Sequence, residues 1–180
     1  PDLTDAGGSV RHLMVGAGKD GNLYVVNRDD MGKFSSSKNA DWQELDGALP
    51  GGTFSTPAYF NGTVYYADVG GPLKAFTVTD AKLSSQPTSV TTTDFPYPGA
   101  SPAISANGSA NGIVWAVENS NPAVLHAYGA GDLTHELYNS NQAQGGRDNF
   151  GAGNKFITPA IADGMLFVGT TNGVAVFGER

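Results

Sequence analysis

Apolar side chains along this chain come in short runs between turn-forming residues, and the runs recur in a fixed frame. One set is Leu23-Tyr24-Val25-Val26, Leu73-Lys74-Ala75-Phe76, Leu125-His126-Ala127-Tyr128 and Val174-Ala175-Val176-Phe177, with first residues at steps of 50, 52 and 49. A second set is Val64-Tyr65-Tyr66, Ile113-Val114-Trp115 and Met165-Leu166-Phe167-Val168, each following a hairpin signal at Asn61-Gly62, Asn111-Gly112 or Asp163-Gly164. Upstream of each signal stands a third block: Thr56-Pro57-Ala58, Ser101-Pro102-Ala103 and Thr158-Pro159-Ala160. Aligned blocks in one frame mark an internal repeat of about 50 residues.

Within a unit the pattern predicts strands joined by tight turns. Asn-Gly and Asp-Gly accommodate the positive φ angles of type I′ turns, whose twist suits antiparallel partners. Pro at the start of the first strand costs no ladder hydrogen bond. The run after the turn is the second strand and the Leu23-type run the third. Trp42-Gln43-Glu44-Leu45 and Thr134-His135-Glu136-Leu137-Tyr138 are candidate fourth strands. No long segment shows a 3.6-residue apolar period, so helix is minor. Consecutive rather than alternating apolar positions, as in Leu23 to Val26, predict sheets covered on both faces. The expected fold class is all-β: a β-propeller of about four four-stranded antiparallel blades, in approximate units 1–47, 48–94, 95–149 and 150–180. A β-sandwich is the competing all-β reading. In this frame the first clear strand is His12-Leu13-Met14-Val15 and the chain ends after a third strand at Phe177, so both terminal blades are expected to be incomplete.

The repeat carries a resemblance. Residues 158–173, with the pattern Thr-Pro-Ala-x-x-x-Gly-x-x-x-Val-Gly-Thr-x-x-Gly, resemble the repeat of pyrroloquinoline-quinone-type (quinoprotein-like) β-propellers. Asp20-Gly21-Asn22-Leu23-Tyr24-Val25-Val26-Asn27, followed by Met31-Gly32-Lys33, is similar to the same family's Asp-Gly-x-Leu-Tyr segment. The resemblance spans nearly the whole chain. It implies a secreted or periplasmic protein and, in catalytic members, a quinone with calcium near the axis that oxidises alcohols or sugars. Here no metal-ligand set maps onto the sequence, and the vicinal cysteine pair of the alcohol-dehydrogenase branch has no counterpart. The expectation is therefore a non-catalytic scaffold or ligand-binding module without cofactor, the alternative being part of a dehydrogenase using the quinone and calcium. About four units imply a four-bladed ring, two chains completing an eight-bladed ring, or the C-terminal part of a longer propeller.

Composition narrows the partners. Of 180 residues, 10 are Lys or Arg and 17 are Asp or Glu, a net charge of −7 without a basic patch, which argues against nucleic acid and anionic membranes. No apolar run approaches the roughly 20 residues that span a bilayer, and Pro1 to Asp5 do not open a signal peptide. The absence of cysteine excludes disulfides, thiolate metal sites and thiol nucleophiles.

Candidate chemistry is sparse. Gly16-Ala17-Gly18-Lys19-Asp20-Gly21 matches a dinucleotide fingerprint, but a strand follows where the pyrophosphate needs a helix N-terminus, so it reads as a hairpin turn. His12, His126 and His135 show neither helical spacing nor clustering with carboxylates, and His126 reads as a variable strand position. Asp29-Asp30 reads as a solvated loop. No Gly-x-Ser-x-Gly elbow is present.

The richest segments are those leading into the first strands: Gly51-Gly52-Thr53-Phe54-Ser55, Phe95-Pro96-Tyr97-Pro98-Gly99 and residues 144–156. In a propeller they emerge near the axis on one face. Arg147, Asn149, Phe150, Lys155, Tyr97 and Phe54 are the candidate ligand-binding residues, suited to a small polar ligand. The competing reading has Phe54, Tyr97 and Phe150 plugging the channel. Self-association to complete a propeller is the other expected partnership.

Overall fold

The computed structural model describes residues 1–178. Among them there are four antiparallel sheets and two short 3-10 turns, with no α-helix, and no helix long and apolar enough to cross a membrane. The first sheet orders β1 (Asp2–Thr4), β2 (Val10–Ala17), β3 (Leu23–Asn27) and β4 (Gln43–Leu45). The second orders β5 (Ala58–Phe60), β6 (Thr63–Ala67) and β7 (Gly71–Thr79); β7 then pairs with both β8 (Lys82–Leu83) and β9 (Ser89–Phe95). The third orders β10 (Ala103–Asn107), β11 (Ala110–Glu118), β12 (Val124–Gly129) and β13 (Asp132–Asn139). The fourth holds β14 (Ala160–Ala162), β15 (Met165–Gly169) and β16 (Val174–Phe177).

Each Thr/Ser-Pro-Ala block does open a strand: β5, β10 and β14 all begin on the alanine after the proline. The Gly16–Gly21 stretch forms the end of β2 and the turn into β3. Asn61 and Gly62 (φ 45° and 75°) and Asp163 and Gly164 (50° and 73°) form the expected hairpin turns. Asn111-Gly112 does not. The turn there is Gly108-Ser109, closed by the Asn107↔Ala110 pair, and Gly112 lies inside β11. A Cβ at Gly112 would strike the Phe60 ring of the second sheet, so this glycine serves sheet packing.

Three strands, β1, β8 and β9, lie outside the apolar pattern. β1 gives the first sheet a fourth strand ahead of β2, correcting the expectation that this sheet is incomplete; its three residues carry no proline block. β9 is threonine-rich and contributes β-branched stiffness in place of apolar bulk. The fourth sheet has three strands among the described residues.

Successive sheets pack face to face through three cores. Leu13, Leu23 and Val25 of the first meet Val64, Tyr66 and Phe76 of the second. Tyr65, Leu73, Ala75 and Phe95 meet Val114, Ala116, Tyr128 and Leu133 of the third. Val117 and Leu125 then meet Leu166 and Val168 of the fourth. Coverage on both faces holds for the two middle sheets, where adjacent Tyr65 and Tyr66 are both buried on opposite sides. It fails for the end sheets, which have one neighbour each: in β16 Val174 and Val176 are exposed while Ala175 and Phe177 pack inward.

Candidate functional site

Antiparallel order places the start of each first strand, the end of the second and the start of the third at one edge of every sheet. At that edge the connections 51–57, 96–102 and 151–159 from three successive units come together. Phe54 and Phe156 occupy equivalent places, each three residues before the proline of its block. Their rings and that of Tyr97 form one cluster: centroids are 5.4 Å apart for Phe54–Tyr97, 6.4 Å for Phe54–Phe156 and 6.3 Å for Tyr97–Phe156. Lys19 Nζ lies 5.0 Å from the Phe54 ring centroid and Lys155 Nζ 5.1 Å from that of Tyr97. All three rings are exposed, Phe156 to 61%. Exposed cation–π contacts contribute about 0.5–1 kcal/mol each, so the two ammoniums are held loosely and stay open to water.

The platform is braced from below. Thr53 Oγ1 and Ser55 Oγ, 2.8 Å apart, both donate to the Ala67 carbonyl, and Tyr66 donates its hydroxyl to the Ser55 carbonyl, fixing the backbone on either side of Phe54. Asn119 Nδ2 donates to the Tyr97 carbonyl at 2.8 Å. Phe156 itself has φ 64°, a left-handed conformation that bulky residues rarely adopt. Beneath the rings a cavity of about 10 Å³, bordered by Ser55, Ser101, Asn119 and Asn154, has room for about one water. A ligand here therefore lies on the rings rather than in a pocket.

Of the six candidate residues, the structure unites Phe54, Tyr97 and Lys155. The other three are engaged elsewhere. Arg147 forms a two-pronged ion pair with its neighbour Asp148, Nε–Oδ1 2.7 Å and Nη2–Oδ2 2.9 Å. Asp148 also accepts from the Tyr138 hydroxyl at 2.6 Å; burial first, and this bond second, push the Tyr138 phenol up. Asn149 closes a turn, accepting from the Gly151 amide. Phe150 packs edge-on against Phe177 in the third core, centroids 5.7 Å apart. Lys19 and Phe156 complete the platform, and the repeat frame could have found both: Lys19 follows a second strand, at the same edge as the Phe54 connection.

His126 sits at a variable strand position of β12, as expected, but the histidines meet carboxylates that their spacing does not announce. His126 Nδ1 lies 2.6 Å from Glu136 Oε1 and Nε2 3.4 Å from Glu118 Oε2, with the ring stacked on Tyr128. His12 Nδ1 lies 2.9 Å from Asp29 Oδ2. Strand register brings these carboxylates in from positions 8 to 17 residues away, beyond any local motif. The His126 side chain is only 6% exposed, which closes it to substrate. Among the described residues no group of three or more His, Asp or Glu is placed to hold a metal ion. No protein-family model matches the chain, and no curated protein matches it.

Proposed function

We propose that this chain is an arc of a quinoprotein-like β-propeller, a secreted, non-catalytic scaffold that binds a small anion with a flat apolar face. The propeller reading is supported by sheets of repeated strand order stacked face to face in chain order. The observation that carries the binding reading is the exposed Phe54–Tyr97–Phe156 cluster between Lys19 and Lys155, built by equivalent connections of three units. Rings offer a stacking surface and the two ammoniums a pair of anion partners. With a net charge of −7 the attraction is local, acting within a screening length of about 8 Å at physiological salt. Uronic-acid sugars and aromatic carboxylates share this chemistry.

The alternative reading is part of a dehydrogenase that uses the quinone with calcium. Titration calorimetry with galacturonate oligosaccharides, an aromatic dicarboxylate and a neutral oligosaccharide tests the proposal. Binding of at least one anion, weakened about tenfold by Lys155→Gln and by Lys19→Gln, is expected from the loss of one charge-assisted contact. Equal binding of the neutral sugar, or no binding of either anion, sinks it. A quinone absorbance band with dye reduction after reconstitution would instead establish the dehydrogenase.

A further inference from the structure

Register makes the sheet faces comparable from one unit to the next. Leu23, Leu73, Leu125 and Val174 hold the same place in their third strands, as do Val25, Ala75, Ala127 and Val176 two residues on. In the first three sheets this forward face is buried against the next sheet: Leu23, Leu73 and Leu125 are all 0% exposed. In the fourth it is bare, with Val174 63% and Val176 53% exposed and Met165 beside them also exposed.

The opposite, backward face tells the same story at the other end. Val64, Val114 and Leu166 hold one place in the second strands and are buried against the preceding sheet. The residue at that place in the first sheet is Met14, 47% exposed. Val10 on the same strand face is exposed too, and the connection after β3 adds exposed Met31 and Phe34 at its rim.

Among the described residues one forward face and one backward face thus have no sheet packed on them, and every internal core is made by a forward face meeting a backward one. We propose that the Val174–Val176 face of one copy docks on the Met14–Val26 face of a second copy, a head-to-tail contact that continues the internal stacking. The Val174–Val176 face is apolar, and on the Met14 face exposed Val10 and Met14 flank His12, which pairs with Asp29; exposed apolar side chains gathered on one face mark such interfaces. Two copies joined reciprocally use all four faces and close on themselves, whereas a heterologous contact that fails to close grows into a filament. The inference rests on the stacked-sheet part of the proposed function and not on ligand binding: the platform lies at a strand edge, and loss of anion binding leaves the docking faces intact.

Sedimentation of the whole chain, with Val176→Asp and Met14→Asp, tests it. The wild type is expected to self-associate and each variant alone to shift at least tenfold towards monomer, with unchanged circular dichroism since both side chains are exposed. An equimolar mixture of the two variants is expected to form a heterodimer, because one keeps its backward face and the other its forward face. A monomeric wild type at high micromolar concentration overturns the proposal, leaving the faces to another protein segment. So does association lost on Val176→Asp but untouched by Met14→Asp, the mark of a fourth sheet pairing with its own copy.

Discussion

Lys74 and His126 occupy the same register position in successive sheets, and each is buried against a carboxylate from the end of the neighbouring second strand. Lys74 donates to Asp68, which also accepts from the Gly51 amide at 3.0 Å; His126 faces Glu118, with Glu136 on its other side. The first and fourth sheets place Tyr24 and Ala175 there. The two sheets covered on both faces are therefore the two that keep a Lys or His side chain at this place, each facing a carboxylate that the same hairpin supplies.

Removing one member of the Lys74–Asp68 pair strands the other. Asp68 has a side chain 2% exposed, so Lys74→Met leaves a buried carboxylate without its ammonium. A loss of about 3 kcal/mol is expected in urea denaturation, and the double variant Lys74→Met, Asp68→Leu should recover part of it. A single variant as stable as the wild type would show that the pair contributes nothing.

Alkaline pH should expose two tyrosines. Tyr24 is held up to about 12 mainly by its hydrogen bond to Asp20, and Tyr128 to about 12 mainly by burial, with Glu136 and Glu118 adding. Raised folded values mean stability that is fully present below pH 10 and lost as pH rises through the window to about 12. Tyr24→Phe should flatten the fall in urea midpoint across that window; an unaltered slope would refute the coupling. Asp20 is the reciprocal case: Tyr24 foremost and the Asn22 amide hold its carboxyl below the usual 3.8, so that contribution is lost only as pH falls through the lowered value.

Phe156→Gly separates binding from stability. Its φ of 64° is comfortable for glycine, and an exposed ring gives up little burial, so stability should rise by about 1 kcal/mol. Anion affinity should fall several-fold because one of three rings is gone. Thermal denaturation beside calorimetry reads both; a loss of stability would mean that the ring packs more than it strains.

Gly112→Ala tests the close approach of the second and third sheets. The added methyl meets the Phe60 ring and the Ala130 side chain, an overpacking expected to cost about 2 kcal/mol. Adding Phe60→Leu should return part of that loss, a non-additivity that urea melts of the four species would reveal. Strictly additive effects would place the strain elsewhere.

The repeat frame was legible because its signals are local: proline at a strand start, Asn-Gly or Asp-Gly in a turn, and apolar runs two to five residues long. It located the second and third strands of all four units, and the edge from which the Phe54 and Tyr97 connections emerge. Gly112 was misread for the same reason. Asn-Gly signals a turn by its own conformational preference, yet here the glycine answers to Phe60, 52 residues away, whose ring leaves no room for a side chain.

The chain's order of side chains by itself determined an all-β fold built from repeated hairpins, because turn preferences and short apolar runs between them act among neighbours. Only the tertiary structure decided which residues meet across units, Lys19 with Phe54 and Tyr97 with Phe156, and which meet across strands of one sheet, His126 with Glu118 and Glu136. It alone decided, too, that Val174 and Val176 face water while their equivalents Leu125 and Ala127 are buried. The same apolar place in the repeat is core or surface according to whether another sheet lies beyond it, and that is a property of stacking rather than of the strand.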